Sequence, residues 1–193
     1  MQRDRLTQKQ NRLVQELKDI YAHFNLDYYN IHSYERDERI PYLNAARDKV
    51  VRGQVIIWYT VVDELLTNVI CRYYFGKRRS FPELWRTKKF QNFNYYVIEE
   101  LHLMQKLRHV KVIRKIPKSI AADIERLNSL RNALAHALFP ENLRKSSPQW
   151  KGENIFSLKG LKLLQQDFYK IINFLIGSNI SPQSTPEDGV AEL

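Results

Sequence analysis

The sequence predicts an all-α helical bundle. Apolar residues recur at three- and four-residue intervals along most of its length, as on the buried face of a helix. Prolines and glycines fall almost entirely between those periodic stretches, where helix breakers belong. No stretch shows the sustained apolar–polar alternation of a strand. With 193 residues the chain is long enough for one domain with a real core. We expect that domain to span 1–177, and the Ser-, Pro- and acid-rich tail at 178–193 to be disordered.

Taken in order, Leu6, Leu13, Leu17, Ile20 and Phe24 mark a first amphipathic helix, with Val14 and Tyr21 widening its face. An irregular aromatic stretch follows to Arg39. Ile40-Pro41 then opens a second helix, since proline is tolerated in a first turn. It runs to Phe75-Gly76, with a possible break at Gly53. From Gln54 onward this helix is apolar around most of its circumference, so it is either central in the bundle or part of a subunit contact. Its narrow polar row is Thr60, Glu64 and Asn68. Ser80-Phe81-Pro82-Glu83 opens a short piece. A long helix from about Lys89 to Lys115 carries Phe93, Val97, Leu101, Met104 and Val110 on one side. Pro117 separates it from a helix bearing Ile120, Ile124, Leu127, Leu130, Leu134 and Leu138. A polar loop from Phe139 to Phe156 leads to Ser157, which caps a last helix closed by Gly177.

A formal net charge of +10 points to a polyanionic partner. Nucleic acid suits it better than a membrane surface, because no basic helix has the pattern of an interfacial anchor. The one cysteine, Cys71, lies in an apolar helical run and reads as a packing thiol. No Cys/His spacing resembles a zinc site, and although His102 and His109 share a helix face, no carboxylate completes a metal set there. His23 and His32 read as ordinary surface or packing residues. The charged start, Met-Gln-Arg-Asp-Arg, does not read as a signal peptide, and no apolar run reaches transmembrane length. The expectation is a cytoplasmic protein without membrane association.

The most informative stretch is Leu130-Arg131-Asn132-Ala133-Leu134-Ala135-His136. At about 100° per residue, Arg131 falls inside the apolar stripe, roughly 20° from Ile124. A guanidinium there must find a carboxylate, a phosphate or a solvated cleft. Glu64 is the first candidate carboxylate and Asp63 the second; alternatively the Glu64 row is only a solvent-facing strip. Asn128, Asn132 and His136 form a polar row beside the stripe. One fixed cation, one amide and one proton carrier on a single helix suit a phosphodiester.

Arg131 to His136 resembles the Arg-x4-6-His signature of HEPN domains, and the Asn132 that follows the arginine fits that family's common choice. The resemblance implies a helical bundle with its motif on a late helix, dimerising so that two motifs face one another. It also implies a metal-independent endoribonuclease of the kind found in toxin–antitoxin, abortive-infection and CRISPR-linked defence systems. Antitoxins or defence-complex proteins would be its protein partners. On that reading His136 moves the proton of the ribose 2′-OH or of the leaving oxygen, Arg131 stabilises the phosphate, and Asn132 orients one of them. Products would be a 2′,3′-cyclic phosphate and a 5′-hydroxyl, with no metal or cofactor required. Other members bind RNA, nucleotides or proteins without cleaving, which supplies the alternative of a non-catalytic binding or dimerisation module.

Arg131 and His136 lie about 140° apart around an ideal helix, so a composite site across a twofold interface is a requirement of the nuclease reading. RNA contact is expected to extend along Lys106, Arg108, Lys111, Arg114, Lys115 and Lys118, a run without an acidic residue, and to Arg144, Lys145 and Lys151 beyond the motif. A second basic group, Lys77, Arg78, Arg79, Arg86, Lys88 and Lys89, is interleaved with Phe81, Trp85 and Phe90.

Overall fold

A computed structural model describes residues 7–24, 26, 28–76, 80–136 and 148–177. They form seven α-helices: α1 (Gln8–His23), α2 (Arg39–Phe75), α3 (Phe81–Trp85), α4 (Lys88–Phe93), α5 (Leu103–Ile113), α6 (Lys118–His136) and α7 (Leu158–Gly177). A 3-10 turn spans Tyr28–Ser33, a π-helical turn spans Asn94–Ile98, and β1 (Gln149–Trp150) pairs with β2 (Glu153–Asn154). The all-α expectation therefore holds. The expected tail from 178, and Arg144 and Lys145, lie outside the described residues. The chain groups into two compact units that divide after Gly53.

In the first unit Thr7 caps α1 through a capping box with Gln10, its own N–H donating to Gln10 Oε1 at 2.8 Å. The helix is amphipathic as expected, yet none of its residues is buried, and Leu13, Leu17 and Ile20 are open to solvent. Lys49 donates to the Phe24 carbonyl at 2.8 Å. Arg39 donates to the Tyr34 carbonyl at 3.0 Å, and the Tyr34 ring meets that of Tyr42 at 4.3 Å. Pro41 sits in the first turn of α2, which runs unbroken through Gly53. A helical glycine costs only about 1 kcal/mol, too little to break a helix held on both sides.

The second unit is a bundle of α2 from Gln54 onward, α5, α6 and α7. Val55, Val62, Leu66 and Ile70 meet an interior shared with Leu107, Val110, Ile124, Leu127, Leu164 and Ile171, all buried. Trp58 stacks on Phe168 at 5.1 Å. By length and composition α2 is apolar enough to cross a membrane, with a window of mean hydropathy 1.3, so the expectation that no run reaches that length is corrected. Only 33% of that window is buried within the chain: Val55, Val62 and Leu66 face the interior, Ile56 and Ile57 are exposed, and Asp63 holds a buried lysine, Lys106, at 2.6 Å.

The expected helix from Lys89 to Lys115 is instead three pieces. The π turn follows α4, and α5 starts afresh at His102, whose N–H donates to Gln105 Oε1 at 2.8 Å in a capping box. Of the expected row only Val110 is buried; Val97 is exposed, and Phe90, Ile98, Leu103 and Leu107 reach the interior instead, because the break shifts the helical phase. Likewise the expected loop contains a hairpin in its described part. Lys151 and Gly152 both have positive φ (49° and 88°), the geometry of a two-residue hairpin turn. The hairpin turns Trp150 into the core, where its indole donates to Asp167 at 2.9 Å. Ser157 caps α7 as expected, its Oγ accepting from the Gly160 N–H at 3.1 Å. Gly160 passes so close to the hairpin that a Cβ would lie 2.1 Å from the Asn154 carbonyl oxygen.

Candidate functional site

α6 carries the motif. It begins just after Pro117, whose carbonyl accepts from the Ala121 N–H at 3.0 Å. Ala121, Ile124, Leu127, Leu130 and Leu134 fill the interior. Arg131 lies half-buried beside them. Its guanidinium sits over the Tyr59 ring of α2, 5.0 Å from the centroid, and Nη1 donates to Asn132 Oδ1 at 3.1 Å. Among the described residues no carboxylate lies within ion-pair distance of it. Burial chiefly, with the nearby Asp63 charge, raises the Tyr59 pKa, and Arg131 opposes that rise. The phenol is thus neutral at ordinary pH and serves as a π face for the cation.

Both expected carboxylate partners are elsewhere. Glu64 is exposed and does not reach Arg131, while Asp63 is taken by Lys106. The Thr60 and Glu64 positions face outward, so that row is the solvent strip. Tyr59 is a partner of a kind other than the carboxylate, phosphate or solvated cleft expected, since a guanidinium is also held well by an aromatic face. His136 ends α6, and the structure describes its backbone alone. α6 runs through both motif residues.

The basic run separates by helical phase. Lys106 was expected to touch phosphate; instead it is only 6% exposed and committed to Asp63. It shares the inner side of α5 with Leu103, Leu107 and Val110. Arg114 is also drawn inward, its guanidinium 4.6 Å from the Phe174 ring centroid, with Nε and Nη2 buried and unbonded. Burial lowers its pKa. Arg108, Lys111, Lys115 and Lys118 remain exposed. The three lysines line an open depression of about 420 Å³, with Ile116, Ala121, Ala122 and Glu125. Lys111 is tethered there to Glu125 at 3.0 Å. Counting charges found this surface, and helical phase would have removed Lys106 from it.

Lys151 is a second correction. It was expected to guide RNA, but its ammonium bridges Asp167 at 2.6 Å and Asp123 at 3.0 Å. Burial disfavours its charge, yet those two carboxylates win and raise its pKa. It is a structural cation. Cys71 is buried as expected, and burial pushes its thiol up to about 11, so it is no nucleophile at neutral pH. His102 serves as a helix cap, and His109 is exposed. Among the described residues no three His, Cys, Asp or Glu side chains converge as a metal-ligand group.

What the arrangement offers chemically is one fixed guanidinium, an amide that orients it, and a lysine-rich surface at the opposite end of the same helix. Comparison with known proteins yields no match: no family model, no curated protein and no solved structure matches this chain.

Proposed function

We propose that this protein is a metal-independent endoribonuclease of the HEPN kind, acting as a homodimer. One observation carries the reading: Arg131 is anchored by an amide and an aromatic face rather than by a carboxylate. A structural ion pair would have consumed its charge. An aromatic face fixes a guanidinium without neutralising it, and so leaves it available to a phosphate oxygen.

In this scheme Asn132 positions Arg131 through the hydrogen bond described above. Arg131 stabilises charge on the scissile phosphate, and His136 carries the proton. Because the two residues diverge on one helix, a second α6 must complete the site. Ser129 and Ala133, exposed and four residues apart, are small enough to permit a close approach of two such helices. Arg108, Lys115 and Lys118 then hold flanking phosphates. A toxin or antiviral effector, restrained by an antitoxin or a defence-complex protein and working in the cytoplasm, is the biological setting this chemistry suits.

The lysine-lined depression favours one alternative, a non-catalytic RNA-binding module, because it can hold phosphates without Arg131. The test is incubation of the purified protein with single-stranded RNA in EDTA, beside His136→Ala. Cutting by the wild type and none by the variant, at unchanged helical circular dichroism, supports the nuclease. Salt-sensitive binding without cutting favours the alternative, and undiminished cutting by His136→Ala moves the chemistry elsewhere.

A further inference from the structure

The end of α2, α3, α4 and the π turn gather aromatic rings into one cluster. Phe90 is its buried centre, in ring contact with Phe75 at 5.1 Å, Trp85 at 5.3 Å and Phe81 at 6.1 Å. Phe93 contacts Phe75 at 5.1 Å and Tyr74 at 5.3 Å. These inner rings are ordinary core. The outer ones are not: Tyr73, Tyr74 and Trp85 are about half or more exposed, and Tyr95 and Tyr96 are 62% and 70% exposed.

Tyr95 and Tyr96 stand on the π turn, which starts immediately after Phe93. Backbone of this kind is rare and is found disproportionately at functional sites. Asn94 fixes the turn by donating to Glu99 at 2.8 Å, and Ile98 anchors it in the core. The two tyrosine rings meet edge-to-face at 4.9 Å, perpendicular to one another. Among the described residues neither phenol makes a hydrogen bond that would explain a tyrosine there by structure alone. Both charges lie around it: Arg86, Lys88 and Lys89 are exposed and form no ion pair among the described residues, while the exposed Glu83 and Glu99 accept from Ser80 and Asn94, and Glu100 is exposed beside them. Lys77, Arg78 and Arg79 follow Gly76 in the sequence.

We infer that this aromatic surface is a binding site for single-stranded nucleic acid, with Tyr95 and Tyr96 stacking on unpaired bases and Lys88 and Lys89 meeting the backbone phosphates. Planar rings open to solvent, with the unpaired Lys88 and Lys89 on the adjoining helix and a chain of net charge +10, match the two faces of a single strand, its bases and its phosphates. A duplex hides its base faces. The inference names how RNA is held, and so deepens the reading above, but it does not depend on cleavage.

The test uses the full chain and a fluorescent 2′-O-methyl oligouridine, which lacks the attacking hydroxyl, together with oligothymidylate and a duplex competitor. The wild type should bind both single strands and prefer them to the duplex. Tyr95→Ala/Tyr96→Ala should weaken binding by roughly 10- to 100-fold, and Tyr95→Phe/Tyr96→Phe should retain it, because stacking needs the ring and not the hydroxyl. Unchanged circular dichroism in the alanine variant separates lost stacking from lost folding. Binding unaffected by the alanine pair, or a preference for duplex, overturns the surface while leaving the nuclease reading to its own cleavage test. A wild-type oligomer that the alanine pair makes monomeric overturns it in favour of a subunit contact.

Discussion

Asp167 is enclosed almost completely, and burial by itself would raise its pKa. Hydrogen bonds from Lys151, Trp150 and Lys170 outweigh that cost and hold it at about 2. Its folded pKa lies below its unfolded one, so its stabilisation is complete above the unfolded value near 4 and is lost as pH falls towards 2. The lost contribution should be about 2 kcal/mol, read as a fall in the urea midpoint between pH 5 and pH 2 that Asp167→Asn does not share. Lys106 and Lys151 are committed in the same way to carboxylates. Arg131 differs in having none among the described residues. That contrast was half legible: the helical phase marked Arg131 as a charge out of place, but no local pattern shows that Tyr59, far away in sequence, supplies its partner. Nor does local sequence reveal that Lys151 turns inward, since a two-residue hairpin sets its direction.

Helices with one clean period were legible as elements. α1, α6 and α7 follow their apolar rows, and the Ser157 cap was readable from the sequence. The break inside the expected long helix was not, because the stretch holds enough apolar residues to fit a continuous row, while the buried ones (Phe90, Ile98, Leu103 and Leu107) follow a phase that the π turn resets. β1 and β2 have two residues each, too few for an alternation to register. Glycines separate the two kinds of packing at this scale. Gly160→Ala would drive a methyl into the Asn154 carbonyl, and should cost about 3 kcal/mol or more in thermal or denaturant unfolding. Gly53 lies in the middle of α2 with nothing within 4 Å of a Cβ, so Gly53→Ala should stabilise by about 0.5–1 kcal/mol. Equal effects at the two positions would contradict this account of the hairpin.

A charge of +10 attracts polyanions wherever it lies, but its distribution decides which residues take part. Lys115 and Lys118 are exposed beside the depression, whereas Lys106 is sealed in an ion pair. Replacing Lys115 or Lys118 by Gln should reduce the slope of log affinity against log salt by about 0.7 each for a single strand. Lys106→Gln should leave that slope unchanged and lower stability instead. The charge was legible from composition, while its partition required the packed helices. The proposed activity makes a narrower demand, set by Arg131 being held by Tyr59 and Asn132 with no carboxylate beside it among the described residues. The most direct measurement is the end chemistry of fragments cut from single-stranded RNA with and without chelator. The account predicts 2′,3′-cyclic phosphate and 5′-hydroxyl ends in both, and none with Arg131→Ala or His136→Ala. Fragments bearing 3′-hydroxyl ends, or cutting that the chelator abolishes, would contradict it.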